Sequence, residues 1–244
     1  MISLCILAKN AQETLGATLD SAKSFSEIVF LDTGSTDQTL IIAENYPNVK
    51  IFQIPFKGFG PLRNEAAAKA KNDWILALDC DEVLSPPLLR EIAALSLDPT
   101  YAYSIPRHNF YNGKQIKGCG WHPEQVVRLY HRKQTHFSDS LVHEALIAQS
   151  VQKLRSPLLH TPFRSTAEFL AKMQHYSTLF ASQNQSRKKS SFTRAVFHGL
   201  FAFVRSYFLK RGIFDGKEGL IISLYNANTT FYKYIKLDEM NRSQ

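Results

Sequence analysis

Four short apolar runs, each followed by a segment of helical period, fill the first hundred residues and leave few architectures open. The runs are ISLCILA (2–8), EIVFLD (27–32), VKIFQIPF (49–56) and DWILALD (73–79). Between and after them lie AQETLGATLDSAK, DQTLIIAENY, PLRNEAAAKAKN and SPPLLREIAAL. Leu15 and Leu19 fall on one helical face. Pro61 stands in a first helical turn, and Ser85 precedes two prolines as an N-cap. A β-α-β-α order of this kind predicts an α/β fold, with a mostly parallel, buried central sheet flanked by helices. Ligands of such sheets bind beyond the carboxyl ends of the strands. Asp32 ends the second run and Asp79 the fourth, so both carboxylates are expected at that edge.

After Tyr101 the pattern changes. YAYSIPRHNFYNGKQIKG predicts a strand, an Asn-Gly turn at 112–113 and a return, and EQVVRLYHR predicts a further strand. From about residue 165 three helical patterns follow, joined at 184–191 by NQSRKKSS, which is expected to be a flexible joint. The expected division is a catalytic domain over 1–164 and a basic, aromatic-rich helical extension over 165–244.

The charge is uneven. Residues 1–152 carry 14 basic and 16 acidic side chains, whereas residues 153–244 carry 15 and 5. A near-neutral body with a basic tail points to an anionic surface, membrane or nucleic acid. Phe197, Phe201, Phe203, Tyr207 and Phe208 interleave with Arg194, Arg205, Lys210 and Arg211, as in an interfacial helix. The lack of a recognised nucleic-acid module favours the membrane surface. The longest apolar run, AVFHGLFAFV, is too short to span a bilayer, and the opening residues are expected to form a strand rather than a leader. Cys5, Cys80 and Cys119 are too few and scattered for a disulfide framework and are expected as reduced thiols in the cytoplasm.

Five stretches carry candidate chemistry. LDTGSTDQT presents Asp32 before a Gly-Ser-Thr turn, which suits either a nucleotide contact or a plain Asx-turn. KGFGPLRN places two glycines before a helix and Arg63 in its opening turns. It lacks the third glycine and the later acid of a dinucleotide fingerprint, but suits a diphosphate. In LDCDE, strand alternation would point Asp79 and Asp81 the same way. Their hard oxygens fit Mg²⁺ or Mn²⁺ clamping a diphosphate. GWHPEQVVRLYHR and SDSLVHEAL add His122, Glu124, Arg128, His143 and Glu144, of which a carboxylate near the leaving group would serve as a base.

Taken in order, ILAKNAQETL, FLDTGSTDQT, FKGFGPLRNEAAAKAKNDWILALDCDE, VVRLY…VHEAL and the tail from SYFLKRG onward resemble a family 2 glycosyltransferase of the GT-A fold. The tail is most similar to bacterial lipopolysaccharide inner-core β-glucosyltransferases. The resemblance implies an inverting, metal-dependent transfer of a hexose, with glucose from UDP-glucose as the expected donor. The implied acceptor is a lipid-linked lipopolysaccharide core glycan, and the implied location is the cytoplasmic face of the inner membrane, peripherally bound. It further implies Asp32 on the uridine, Arg63 on the nucleotide or diphosphate, and Asp79 on the ribose or metal. Asp81 would ligate the cation, His143 would stand beside it, and Glu144 would be the catalytic base. Glu82 and Glu124 are implied as acceptor contacts or an alternative base, and His122 and Arg128 are further expected contacts to acceptor or donor. The family's usual His-Asn-Glu after the first strand is Lys9-Asn10-Ala11 here. Two rivals share some of these letters. A haloacid-dehalogenase-type phosphatase would use Asp79 as nucleophile and Asp81 as acid/base, although three strand–helix units precede the motif. A non-catalytic membrane-surface glycan-binding protein would need neither the acidic pair nor a base.

Overall fold

A computed structural model of the chain describes residues 1–139 and 145–242. Among these residues the strands are β1 (Ile2–Ala8), β2 (Ile28–Asp32), β3 (Val49–Gln53), β4 (Trp74–Asp79), β5 (Glu82–Leu84), β6 (Ala102–Tyr111), β7 (Lys114–Gln115), β8 (Gln125–His131), β9 (Val151–Lys153) and β10 (Leu158–His160). The helices are α1 (Leu15–Ser21), α2 (Thr39–Glu44), α3 (Phe59–Lys69), α4 (Pro86–Ala94), α5 (Thr166–Asn184), α6 (Phe192–Val204) and α7 (Gly216–Arg242). A π-helical turn (Arg205–Leu209) and a 3₁₀ turn (Gly212–Asp215) lie between α6 and α7.

The sheet order is β3-β2-β1-β4-β8-β6-β10-β5. The first four strands are parallel, as the β-α alternation predicts. β8 then joins β4 antiparallel, and β6 joins β8 antiparallel with a bulge near Tyr103. Period-two alternation divides each parallel strand between two cores. Leu4, Ile6, Ile28, Phe30, Leu76 and Leu78 pack with Leu15, Leu19, Leu88 and Ile92 from α1 and α4. Cys5, Leu7, Val29, Leu31, Ile75 and Ala77 pack instead with Leu62, Ala66 and Ala67 from α3. Both faces are therefore covered, which explains why these strands are almost wholly apolar.

Local signals fix helix starts and the hairpin turn. Ser85 accepts a hydrogen bond from the Leu88 N–H, Ser165 from that of Glu168, and Ser191 from that of Arg194. The Asn112-Gly113 turn closes the β6–β7 hairpin with both residues at positive φ, the geometry such a turn requires.

The chain divides into two compact units. The first comprises Met1–Arg107 and Glu124–His160; the second comprises His108–Pro123 and Thr161–Gln244. In the second, α5 and α7 pack around Tyr111, Ile116, Phe163, Phe169 and Ile222, and α6 packs on α7. Residues 184–191, expected as a flexible joint, are tied to α7. Gln185 donates to the Met240 carbonyl, Ser190 Oγ to that of Tyr234, and Asn241 bonds both Ser186 and Lys188. The 108–123 hairpin is latched by Asp215, which accepts from the N–H groups of Lys117 (3.2 Å) and Gly118 (2.6 Å). Among the described residues, no helix is long and apolar enough to cross a membrane.

A side chain at Gly219 would run into the Gly212 carbonyl and press on Asp215, whereas one at Gly16 would meet open space. Gly219→Ala is expected to destabilise the chain by about 1–3 kcal/mol through overpacking. Gly16→Ala, inside α1, is expected to be neutral or to stabilise by up to about 1 kcal/mol. Urea unfolding of the two variants checks both.

Candidate active site

Strand register brings the acidic clusters to one edge. Ala8 of β1 pairs with Asp32, and Leu7 pairs with Asp79, so the two carboxylates flank β1 at the carboxyl ends of parallel strands. Adjacent strands lie about 4.8 Å apart, which puts the two backbones roughly 10 Å apart.

Asp32 is 2% exposed, and its carboxylate accepts from the N–H groups of Gly34 (3.0 Å) and Ser35 (3.0 Å). It thus forms an Asx-type turn that holds open the loop it begins. The loop after β1 is laced to it. Asn10, in the left-handed region at φ 52°, accepts from the Thr36 N–H (2.8 Å), and its own N–H donates to Ser35 Oγ (2.9 Å). Of the departing triplet Lys9-Asn10-Ala11, Asn10 and Ala11 both serve this lacing, since the Ala11 N–H donates to Thr39 Oγ1.

β4 ends at Asp79, and the chain turns through Cys80 and Asp81 before β5. Alternation along a continuous strand would have aimed Asp79 and Asp81 at one ligand. The turn instead sends them to different partners. Asp79 is held by two arginines. Arg63 Nη2 donates to its Oδ1 at 2.5 Å, and Arg128 Nη2 makes a short bond to its Oδ2. Arg63 is 5% exposed and stands 5.2 Å over the Phe137 ring.

Behind Asp79 lies Glu82, a carboxylate with no exposed surface. It accepts from Arg128 (2.8 Å), from Arg107 (2.9 Å) and from the Asp79 N–H (2.9 Å). Arg107 continues the chain of charges with a two-pronged bond to Glu124, at 2.9 and 2.7 Å. Three arginines therefore alternate with three carboxylates, in the order Arg63, Asp79, Arg128, Glu82, Arg107, Glu124. Each buried charge has an opposite charge in bonding contact, the condition under which such groups are tolerated. Burial opposes ionisation of Asp79, but Arg128 and Arg63 outweigh it and hold the carboxyl far below the usual range. Burial likewise works against the Arg128 charge, and Asp79 with Glu82 more than restores it. Arg128 Nε is buried and has no hydrogen-bond partner among the described residues.

Asp81 faces His160 of β10, whose Nε2 lies 3.4 Å from Asp81 Oδ2. β10 pairs antiparallel with β5, and the pair His160↔Glu82 places the imidazole there. An aspartate oxygen beside an imidazole suits Mg²⁺ or Mn²⁺, with the remaining positions left for phosphate oxygens or water. No group of three or more His, Cys, Asp or Glu side chains that could hold a metal occurs among the described residues. A cation here would need ligands beyond these two side chains.

Of the expected site residues, Arg63, Asp79, Glu82, Glu124 and Arg128 form one bonded network. Asp81 stands beside it and Asp32 one strand away. His122 belongs to the second unit, where its ring lies 5.7 Å from that of His108. His143 and Glu144 lie outside the described residues. The described residues on either side of them are held in place. Asn64 exchanges two hydrogen bonds of 2.9 Å with the Phe137 backbone, and Phe137 is bridged to Leu146. Arg107 and His160 were not anticipated. Arg107 lies inside the strand AYSIPRHNFY among other polar residues, and neither it nor His160 carries a local signal.

The site leaves little room for the phosphatase alternative. A nucleophilic aspartate needs an oxygen free to attack, and both oxygens of Asp79 are bonded to guanidinium groups.

The family model described as "Glycosyl transferase family 2" matches residues 3–154. An uncharacterized glycosyltransferase of Rickettsia bellii is 27% identical, the match covering 98% of this chain and 87% of the relative. The lipopolysaccharide core biosynthesis glycosyltransferase LpsC of Rhizobium meliloti is 28% identical, over 97% of this chain and 91% of its own. Among solved structures, Staphylococcus aureus TarS in complex with UDP aligns with a TM-score of 0.49 at 16% identity, over 99% of this chain and 91% of that one.

Because Asp79 has a depressed pKa, its contribution to stability is present above the ordinary aspartate value, about 4, and is lost as the pH falls below it. Unfolding by urea should accordingly show stability falling through this acid range, less steeply in Asp79→Asn. Glu82→Ala would leave two arginines facing a buried gap and should cost roughly 3–5 kcal/mol at neutral pH.

Proposed function

Because this chain belongs to glycosyl transferase family 2, we propose that its charge network holds the diphosphate of a nucleotide sugar while an acceptor hydroxyl displaces it. The observation that carries this reading is the pair Arg63 and Arg128, aligned by Asp79 at the carboxyl edge of the parallel strands. Guanidinium groups fixed in advance stabilise charge growing on a leaving diphosphate without reorganising, and this is worth more in a site shielded from water.

Asp81 and His160 would hold a divalent cation, which when bound supplies Lewis-acid neutralisation of the diphosphate. Asp79 keeps the two arginines in register, and Glu82 fixes Arg128 and Arg107 behind it. The loop opened by Asp32 and laced by Asn10 would receive the uridine. Glu144 would take the proton from the attacking hydroxyl, with His143 beside the diphosphate. Glu124 would meet the acceptor.

The proposed donor is UDP-glucose and the proposed acceptor a lipid-linked lipopolysaccharide core glycan. The name of the Rhizobium relative supports the acceptor class. The acid-poor tail supports peripheral attachment to the cytoplasmic face of the inner membrane. Residues 1–164 would then act as the catalytic domain and 165–244 as the acceptor- or membrane-binding extension.

Incubation with Mg²⁺ or Mn²⁺ and a panel of nucleotide sugars should release a nucleoside diphosphate, fastest with UDP-glucose. Asp81→Asn is expected to abolish the metal-dependent release, and His160→Ala to raise the metal concentration needed. Glu144→Gln should lower turnover with acceptor by about 10²–10⁴-fold while donor binding persists. Silence across the whole panel would exclude the transferase reading. Normal transfer by Glu144→Gln would exclude that base.

A further inference from the structure

α6 has two apolar faces, and only one is covered. Ala195, Gly199 and Ser206 face α7. A side chain at Gly199 would touch Phe231, and Ser206 Oγ accepts from Ser223 and Asn226 at 3.0 Å. At about 100° per residue, the opposite side of the helix carries Phe197, Leu200, Phe201 and Val204. They are exposed by 69, 61, 60 and 44%.

The π-helical turn extends this stripe. Its i→i+5 bonding takes more residues per revolution than an α-helix, so each residue rotates less. Ser206 therefore stays on the α7 side while Phe208 and Leu209 straddle the exposed stripe. An uninterrupted α-helix would have carried Leu209 away from it. Beyond the turn, past Arg211 in the left-handed region, the 3₁₀ segment exposes two more apolar side chains, Ile213 and Phe214, the latter 80% exposed. The segment 192–214 contains no Asp or Glu and four cations, Arg194, Arg205, Lys210 and Arg211, all exposed at its flanks or its end.

An open apolar stripe edged by cations and free of acids specifies its partner by charge. A protein partner of mixed charge gains nothing from the missing acids, whereas an anionic lipid surface is repelled by none of them. We propose that this face, from Phe197 to Phe214, inserts into the headgroup–acyl boundary of an anionic phospholipid membrane. The aromatic and aliphatic side chains enter the acyl region, and the Arg and Lys heads remain at headgroup level. The inference deepens the membrane attachment proposed above and concerns the second unit alone.

Cosedimentation of the full chain with vesicles, without donor or acceptor, tests it separately from transfer. Binding to phosphatidylcholine–phosphatidylglycerol vesicles should exceed binding to phosphatidylcholine alone by at least about tenfold. The triple variant Phe201→Ser, Leu209→Ser, Phe214→Ser should lose at least about tenfold in binding with its unfolding curve unchanged, since all three side chains are exposed. Phe214→Trp should show added emission that brominated acyl chains quench. Equal binding by the triple variant, or a Phe214→Trp signal that brominated lipid leaves untouched, would overturn insertion. So would a wild-type chain that ignores vesicles but self-associates through this face, a self-association lost in the triple variant. Vesicle binding without sugar transfer would count against the catalytic reading alone.

Discussion

Glu82 has no contact with water, and its charge survives inside the chain only because Arg107 and Arg128 bracket it. Everything else at the site follows from that compensation. Arg128, fixed from behind, offers its other side to Asp79, and Asp79 in turn fixes Arg63. A row of charges that would be costly singly becomes rigid when each member is paired, because every inner side chain is restrained from two directions. Such rigidity is what a group that recognises a diphosphate requires. A guanidinium that must find its geometry at the moment of reaction stabilises less than one already there.

The fold supplies the frame. The parallel strands end together, so Asp32 and Asp79 arrive at one edge without any long-range instruction beyond the β-α alternation. The antiparallel strands bring the rest. β8 delivers Arg128, β6 delivers Arg107, and β10 delivers His160 to Asp81. The site is thus built from two halves of a sheet, one parallel and one antiparallel.

This division also explains what the residues disclosed in advance. The parallel half was legible, because local apolar periodicity and capping residues such as Ser85 carry it. Asp32, Arg63 and Asp79 were legible with it, since each sits at a strand end or a helix start. The antiparallel half was recognisable as strands but not as partners. His160 lies 79 positions from Asp81, and its role depends on the pairing of two three-residue strands that no local pattern announces. The separation of Asp79 from Asp81 was hidden for a similar reason. Strand alternation predicts a shared direction, and only the turn at Cys80 breaks it. The exposed stripe of α6 was visible as aromatics and cations, whereas its continuation through Leu209 depends on one π-helical turn.

The central claim is that fixed arginines and an Asp81-held cation together receive a nucleoside diphosphate. Calorimetric titration of UDP, with Mn²⁺ and again with chelator, tests it most directly. The account predicts tight binding with the cation, weak binding without it, and loss of the cation-dependent part in Asp81→Asn. Binding of equal strength with and without Mn²⁺, or unaltered in Asp81→Asn, would contradict it.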